Sequence, residues 1–226
     1  MTGSAPDSLR GAVVIVTGAG QGLGRAYALA FGREGCRVAV ADLNGPNAER
    51  VASEVRSAGG EALAVGVDVS RPDSVEQLRD AVSAELGPPR VLVNNAAVFS
   101  TLAMRPFTEI PVEEWDSVMA VNVRGAFLCA RSVVPAMREA GYGKIVNISS
   151  STVWIGRPHY LHYVTSKAAL IGLTRALANE VGPFGIRVNA ITPGATLTEI
   201  PRATVTSAQR EAMAQSSALR RGQLPE

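Results

Sequence analysis

Short, continuous apolar runs recur along the chain and alternate with amphipathic stretches. AVVIVT (12–17), RVAVAD (37–42), EALAVGVDV (61–69), VLVNNAA (91–97), KIVNISS (144–150) and IRVNAI (186–191) are rich in Val, Ile and Ala and read as buried strands. Between them the apolar spacing changes to that of helices. In RAYALAFGREG (25–35), Tyr27, Leu29, Ala30 and Phe31 form an apolar face. The segment 45–58 ends on Gly59-Gly60, a stop signal, and RPDSVEQLRDAVSAEL (71–86) has Pro72 near its start. A long helix is expected from Val112 through Met137, with Trp115, Val118, Val121 and Phe127 on its core face and Pro135 bending or breaking its end. VTSKAALIGLTRALANEV (164–181) is helical again, and SAQREAMAQSSALRR (207–221) is expected to form a mobile amphipathic helix. The β-α-β-α order predicts an α/β fold: one Rossmann-like domain, a doubly wound parallel sheet with right-handed crossovers and helices on both faces.

Composition fits that reading. A chain of 226 residues suits one domain, taken here as 9–226 behind a disordered lead-in at 1–8. Apolar residues make up 46% and aromatics only 5%, as a tightly packed parallel sheet requires. A net charge of +2 without a basic tract argues against nucleic acid or a membrane surface as partner. Cys36 and Cys129 sit in apolar-periodic stretches and read as buried thiols in a reducing compartment. With His159 and His162 the only histidines, a Cys/His metal site has too few ligands. The start, MTGSAPDSLRG, lacks the basic and apolar regions of a signal peptide, and no apolar run reaches the roughly 18 residues of a membrane span. The expected location is cytoplasmic.

The candidate chemistry gathers where strands end. After the first strand, Gly18, Gln21, Gly22, Leu23 and Gly24 form a glycine-rich turn that opens a helix. Such a turn lets backbone approach a pyrophosphate seated on the helix N-terminus, although a plain tight loop uses glycines too. The spacing departs from G-x-G-x-x-G. Asp42, eighteen residues after Gly24, ends the second strand where an adenosine ribose hydroxyl would be held; the alternative is a turn aspartate before Asn44-Gly45-Pro46. Asp68 ends the third strand. Asn94 is placed to brace the neighbouring strand and loop, with Ala96 small enough to admit a ligand. Asn122 lies inside the long helix, where an amide is either exposed or turns a backbone carbonyl toward a site. Tyr163 and Lys167 stand four apart on one helix face, so the ammonium can favour the phenolate of a tyrosine that trades protons. Ser150, thirteen residues before Tyr163, can hydrogen-bond a carbonyl or alkoxide oxygen.

Taken in order, TGAGQGLG (17–24), Asp42, Asp68-Val69, NNAA (94–97), Asn122, NISS (147–150), Tyr163-x-x-x-Lys167 and PGATLT (193–198) resemble a single-domain short-chain dehydrogenase/reductase. The resemblance implies a catalytic set of Asn122, Ser150, Tyr163 and Lys167. Tyr163 would be the acid/base, Ser150 would hold the substrate oxygen, Lys167 would tune the phenol and bind the nicotinamide ribose, and Asn122 would organise a water. Pro193, Gly194 and Thr198 would meet the nicotinamide end. Ala97 stands where the family has glycine, and of three consecutive serines Ser150 is chosen by its distance to Tyr163. The chain stops where family members continue with a helix and a seventh strand, so it is expected to be a truncated version of a longer protein of roughly 250 residues, which would be a homo-oligomer, a tetramer or dimer.

The expected reaction interconverts a secondary alcohol and a ketone. Trp154, Ile155, His159 and Tyr160 precede Tyr163, and Phe99 follows the NNAA turn, so the pocket wall, with Ser150 and Tyr163, reads as apolar and partly aromatic. The segment 149–182 is similar to 1-phenylethanol dehydrogenase-like members; the alternative is a 3-oxoacyl-(acyl-carrier-protein) reductase. Asp42 with a neutral Gln21 points to NAD rather than NADP, since a 2′-phosphate would face like charge. A reading of another class is a non-catalytic dinucleotide-binding scaffold or sensor on the same fold.

Overall fold

The computed structural model describes residues 9–200, 211–212, 214–215 and 217–225. Six parallel strands form one sheet in the order β3-β2-β1-β4-β5-β6: β1 (Val13–Thr17), β2 (Arg37–Asp42), β3 (Glu61–Gly66), β4 (Val91–Asn94), β5 (Gly143–Ile148) and β6 (Ile186–Ile191). Helices α1 (Gly22–Arg33), α2 (Gly45–Ser57) and α3 (Pro72–Glu85) connect the first four strands. The expected doubly wound α/β fold is the observed one.

Successive strand residues point to opposite faces. Val13 and Ile15 join one buried cluster with Leu128, Val133, Met137 and Ile145, while Val14 and Val16 join another with Val38, Val40, Ala48 and Val51. Both faces are covered, which is why these strands read as unbroken apolar runs. The winding reverses between β1 and β4, whose paired residues include Val14 with Val91 and Val16 with Val93. Their C-terminal ends therefore open a crevice at the switch point, where α/β sheets hold ligands. Strand β3 stops at Gly66, so the expected strand end at Val69 is a turn instead, and β4 stops at Asn94 and gives way to irregular chain across Asn95–Ala97, as the small residues there suggest.

The long helix departs from expectation. It is α4 (Val112–Met119), a π-helical turn (Ala120–Arg124) and α5 (Gly125–Glu139) in direct succession. Phe127 is 49% exposed rather than in the core, because it lies across the helix from the buried stripe of Ala126, Cys129, Ala130, Val133 and Met137. Trp115 is half-buried. Nor does Pro135 end the helix, which runs four residues further. A proline inside a helix costs about 3 kcal/mol, and burial of Val133 and Met137, at about 1.5–3 kcal/mol each, outweighs it. The stretch Val112–Glu139 is long and apolar enough by composition to cross a membrane, at mean hydropathy 1.3; here it packs against the sheet.

The remaining helices are α6 (Thr152–Ile155) and α7 (Leu161–Val181). The helix expected over 207–221 falls largely outside the described residues; 211–212 and 214–215 are helical, and Ser217–Arg221 is a turn. The N-terminal lead-in lies outside them altogether. Thr196 bridges Gln223 beyond the edge of the sheet.

Candidate active site

The glycine turn is built by close approach of backbone. Gly18 and Gly22 have φ of +62° and +57°, where a side chain strains the chain. At Gly24 a Cβ would stand 2.1 Å from the Gly18 carbonyl, so only glycine lets α1 pack this tightly on the turn. Asn95 holds the turn: its amide donates to the carbonyls of Thr17 (2.9 Å) and Gly18 (3.0 Å). Thr17 Oγ1 accepts from the N–H groups of Asn95 and Ala96, both at 3.1 Å. The bracing role expected of Asn94 is thus divided. Asn94 is buried beneath the turn and donates to Asn147 Oδ1 (2.8 Å) and to Ala126 O (3.3 Å), tying β4 to β5 and α5. Alternation along the strand could have separated the two, since Asn94 and Asn95 must face opposite ways.

Helix α1 begins without an acidic residue in its first turn, and Gln21, its exposed N-cap, makes no side-chain capping bond. Leu23 lies in that first turn. The carboxylate of Glu199, 177 residues away, accepts from Gly22 N–H at 2.9 Å. An anion therefore already sits on the helix N-terminus, as the dipole favours. Glu199 arrives because the segment after β6 folds back over the turn. Pro193 O accepts from Ser151 N–H, Gly194 O from Thr196 N–H, and Thr198 Oγ1 from Ile200 N–H. Nothing local in the sequence signals that return.

Asp42 reaches the same turn from β2. Its Oδ2 accepts from Gly20 N–H (2.8 Å) and its Oδ1 from Asn44 N–H (2.9 Å). Asp68 has a local task, accepting from Ser70 N–H and Ser70 Oγ through one oxygen, and buried Val69 packs where a Cβ on Gly125 would touch it.

Along α7 the spacing Tyr163, Lys167, Leu170, Thr174 makes one buried stripe against β5. Lys167 is 3% exposed, and its Nζ donates to Ile148 O at 2.7 Å. Burial lowers its pKa to about 8. The ammonium stands 5.7 Å from the centroid of the buried Tyr163 ring. Of the three serines, Ser149 donates to Lys167 O (2.7 Å) and so pins α7 to β5. Ser150 Oγ accepts from Thr152 Oγ1 (2.9 Å) and Thr152 N–H (3.3 Å); both partners donate to it, so its own proton remains to give.

Asn122 is buried in the π-turn, not exposed. Its Oδ1 accepts from Val98 N–H (2.8 Å), and its Nδ2 donates to Ser166 Oγ (3.0 Å) and Val98 O (3.3 Å). It thereby fastens the loop after β4 to α7. Phe99 on that loop stacks 4.8 Å from Tyr163, and Tyr160 donates its hydroxyl to Phe99 O at 2.9 Å. Tyr160 is buried, whereas Trp154 and Ile155 on α6 are 69% and 74% exposed and stand at the rim. Buried His162, which sequence reasoning passed over, meets Glu114 Oε1 at 3.1 Å and ties α7 to α4.

The family profile described as short chain dehydrogenase matches residues 12–209. The chain belongs to the short-chain dehydrogenase family. It is 38% identical to D-threitol dehydrogenase of Mycolicibacterium smegmatis over 192 residues, 85% of this chain and 73% of that one. It is 41% identical to a probable galactose dehydrogenase of Rhizobium meliloti over 198 residues, 87% of this chain and 76% of that one. Its fold matches the crystal structure of 3-ketoacyl-(acyl-carrier-protein) reductase from Brucella melitensis complexed with NADH, with a TM-score of 0.88 and 34% identity over 96% of this chain and 87% of that one. As a short-chain dehydrogenase/reductase, the protein is an oxidoreductase acting on CH–OH donors with NAD or NADP, and its substrate is a small molecule.

Proposed function

We propose that this short-chain dehydrogenase interconverts a secondary alcohol and a ketone on an apolar or aromatic small molecule, with NAD preferred over NADP. The observation that carries the reading is the buried Lys167 ammonium, 5.7 Å from the Tyr163 ring and bonded to Ile148 O, two residues before Ser150 at the C-terminal end of β5. Tyr163 exchanges the proton of the alcohol oxygen. Lys167, 5.7 Å from its ring, favours the phenolate by its charge. Ser150 donates its free proton to the substrate oxygen and fixes the reacting carbon. Asn122 positions: by clasping Val98 and Ser166 it sets the distance between α7 and the loop carrying Phe99.

The dinucleotide fits the residues at the turn. At Gly18 and Gly24 the turn packs on neighbouring backbone too tightly for any side chain, at Gly22 only Ile200 and Thr198 stand nearby, the helix end already takes a carboxylate, and Asp42 lies where a ribose would come. Gln21, Leu23, Asp68, Val69, Asn94 and Ala96 line or support that crevice, and Pro193, Gly194 and Thr198 lie at its nicotinamide end. When bound, the nicotinamide supplies or accepts the hydride. The preference for NAD follows from Asp42, whose charge opposes a 2′-phosphate while Gln21 offers no cation.

Phe99, Tyr160 and the exposed Trp154 favour an apolar or aromatic substituent on the alcohol. A second reading, reduction of a 3-oxoacyl thioester, is supported by the likeness to the Brucella reductase. The test is purified protein against 1-phenylethanol-type alcohols, a 3-oxoacyl thioester, and tetritols and aldoses, each with NAD and NADP. Highest kcat/KM on an aryl or alkyl secondary alcohol with NAD is expected. A clear preference for thioester or polyol overturns the substrate reading, and equal or better use of NADP overturns the cofactor reading. Dinucleotide binding without turnover on any substrate would support the sensor alternative.

A further inference from the structure

Arg50, on the second turn of α2, donates through Nη2 to Gly20 O at 2.8 Å. The same glycine gives its N–H to Asp42 Oδ2, so Gly20 is held from both sides. The fit is close: a Cβ there would stand 2.9 Å from both the Asp42 carboxyl and Asn47 Cβ. Glu54, one turn beyond Arg50, binds it through Oε1 and binds Arg25 of α1 through Oε2, the latter at 2.6 Å. The hydrogen bond from Arg25 holds the Glu54 carboxyl below its ordinary pKa. Three carboxylates, Asp42, Glu54 and Glu199, thus stand around the turn against two guanidiniums, and Glu54 holds both of the latter. Arg50 alone of the two guanidiniums bonds to the turn itself. Its side chain is 48% exposed and, with Glu54, lines an open cleft of about 630 Å³.

We propose that Arg50 is a specificity-determining residue for the dinucleotide, held back by Glu54. Paired with Glu54, its guanidinium is spent on aiming Gly20 at Asp42. Released, it becomes a cation for a ribose 2′-phosphate, the group a planar guanidinium recognises best. This rests on the reading of Asp42 as the ribose acceptor. Removing the one negative charge that Glu54 sets beside Arg50 is worth about three- to tenfold in affinity for a doubly charged phosphate in largely aqueous surroundings.

Kd values for NADH and NADPH, read by fluorescence titration of the full chain, test it without any substrate. Glu54→Gln is expected to tighten NADPH binding about three- to tenfold and leave NADH within about twofold. Arg50→Met is expected to weaken NADH severalfold by loosening Gly20. The double variant should lose the NADPH gain, and Arg50→Lys in the Glu54→Gln background should keep it. A Glu54→Gln change that moves both dinucleotides in parallel, or a gain that survives Arg50→Met, overturns the proposal. Wild-type protein that binds NADPH as tightly as NADH would instead overturn the reading of Asp42, and that measurement precedes every variant.

Discussion

At Lys167 burial works against the ammonium: its pKa falls from 10.5 to about 8 because its surroundings are dry, and its hydrogen bond goes to a neutral carbonyl, Ile148 O. Between those two values the unfolded chain binds more protons than the folded one, so stability should rise with pH across pH 8 to 10.5. Below about 8 the penalty is constant and on the order of 3 kcal/mol. Lys167→Met, similar in shape and uncharged, should therefore stabilise the ligand-free protein at pH 7 by about 1–3 kcal/mol and flatten the slope between pH 8 and 10. Urea unfolding at the two pH values checks both signs. The same variant should lose turnover and bind nicotinamide dinucleotide less well. Tyr163→Phe separates the two roles: only the hydroxyl leaves, so kcat should fall by about two to four decades while the Kd for NADH stays within twofold. Near-normal kcat in that variant would remove Tyr163 from the proton path. Alcohol oxidation by the wild type should accelerate with pH as the phenol ionises.

Among the elements, those fixed by periodicity were legible in the sequence and those fixed by distant contact were not. The six strands and the helices from α1 to α3 follow from Val/Ile/Ala runs and apolar stripes, because burial of those faces drives their formation. The five residues of the π-turn, Ala120–Arg124, carry the same apolar and polar spacing as ordinary helix, so the widened turn that buries Asn122 left no trace in pattern. Asn95 was hidden beside Asn94, and Glu199 reaches Gly22 across 177 residues. That last contact joins two elements that no motif relates, the segment after β6 and the N-terminus of α1. A diphosphate on the same helix end would face the Glu199 carboxylate at close range, at a Coulomb cost of about 1 kcal/mol in water. Glu199→Gln should accordingly tighten NADH binding about two- to fivefold and lower the melting temperature of the ligand-free protein slightly. Weaker binding in that variant would mean that Glu199 closes the segment over the dinucleotide rather than competing with it.

At the scale of the whole molecule, β3 and β6 are the edge strands of the sheet among the described residues, and the α4–α5 helix pair exposes two large apolar side chains. Phe127 is half-exposed on α5 with the Arg131 guanidinium 5.6 Å from its ring, and Val112 at the start of α4 is 69% exposed. A phenyl ring left half in water across from a fully packed stripe forfeits about half of the 1.5–3 kcal/mol that full burial brings, and a second copy of the same helix pair can recover it about a two-fold axis. The protein is therefore expected to be a homo-oligomer, a dimer through α4 and α5 or a tetramer that also uses the β6 edge. Light scattering should give at least twice the chain mass of 23.6 kDa. Phe127→Glu should lower that mass by halving the assembly, with an unchanged far-ultraviolet circular dichroism spectrum, because the ring contributes nothing to the core of its own subunit. Dissociation without unfolding would separate this surface from the packing that Cys129 and Ala130, on the other side of the helix, supply to the sheet. A wild-type protein that stays monodisperse at the mass of one chain at micromolar concentration would refute the assembly and leave Phe127 a solvent-facing residue.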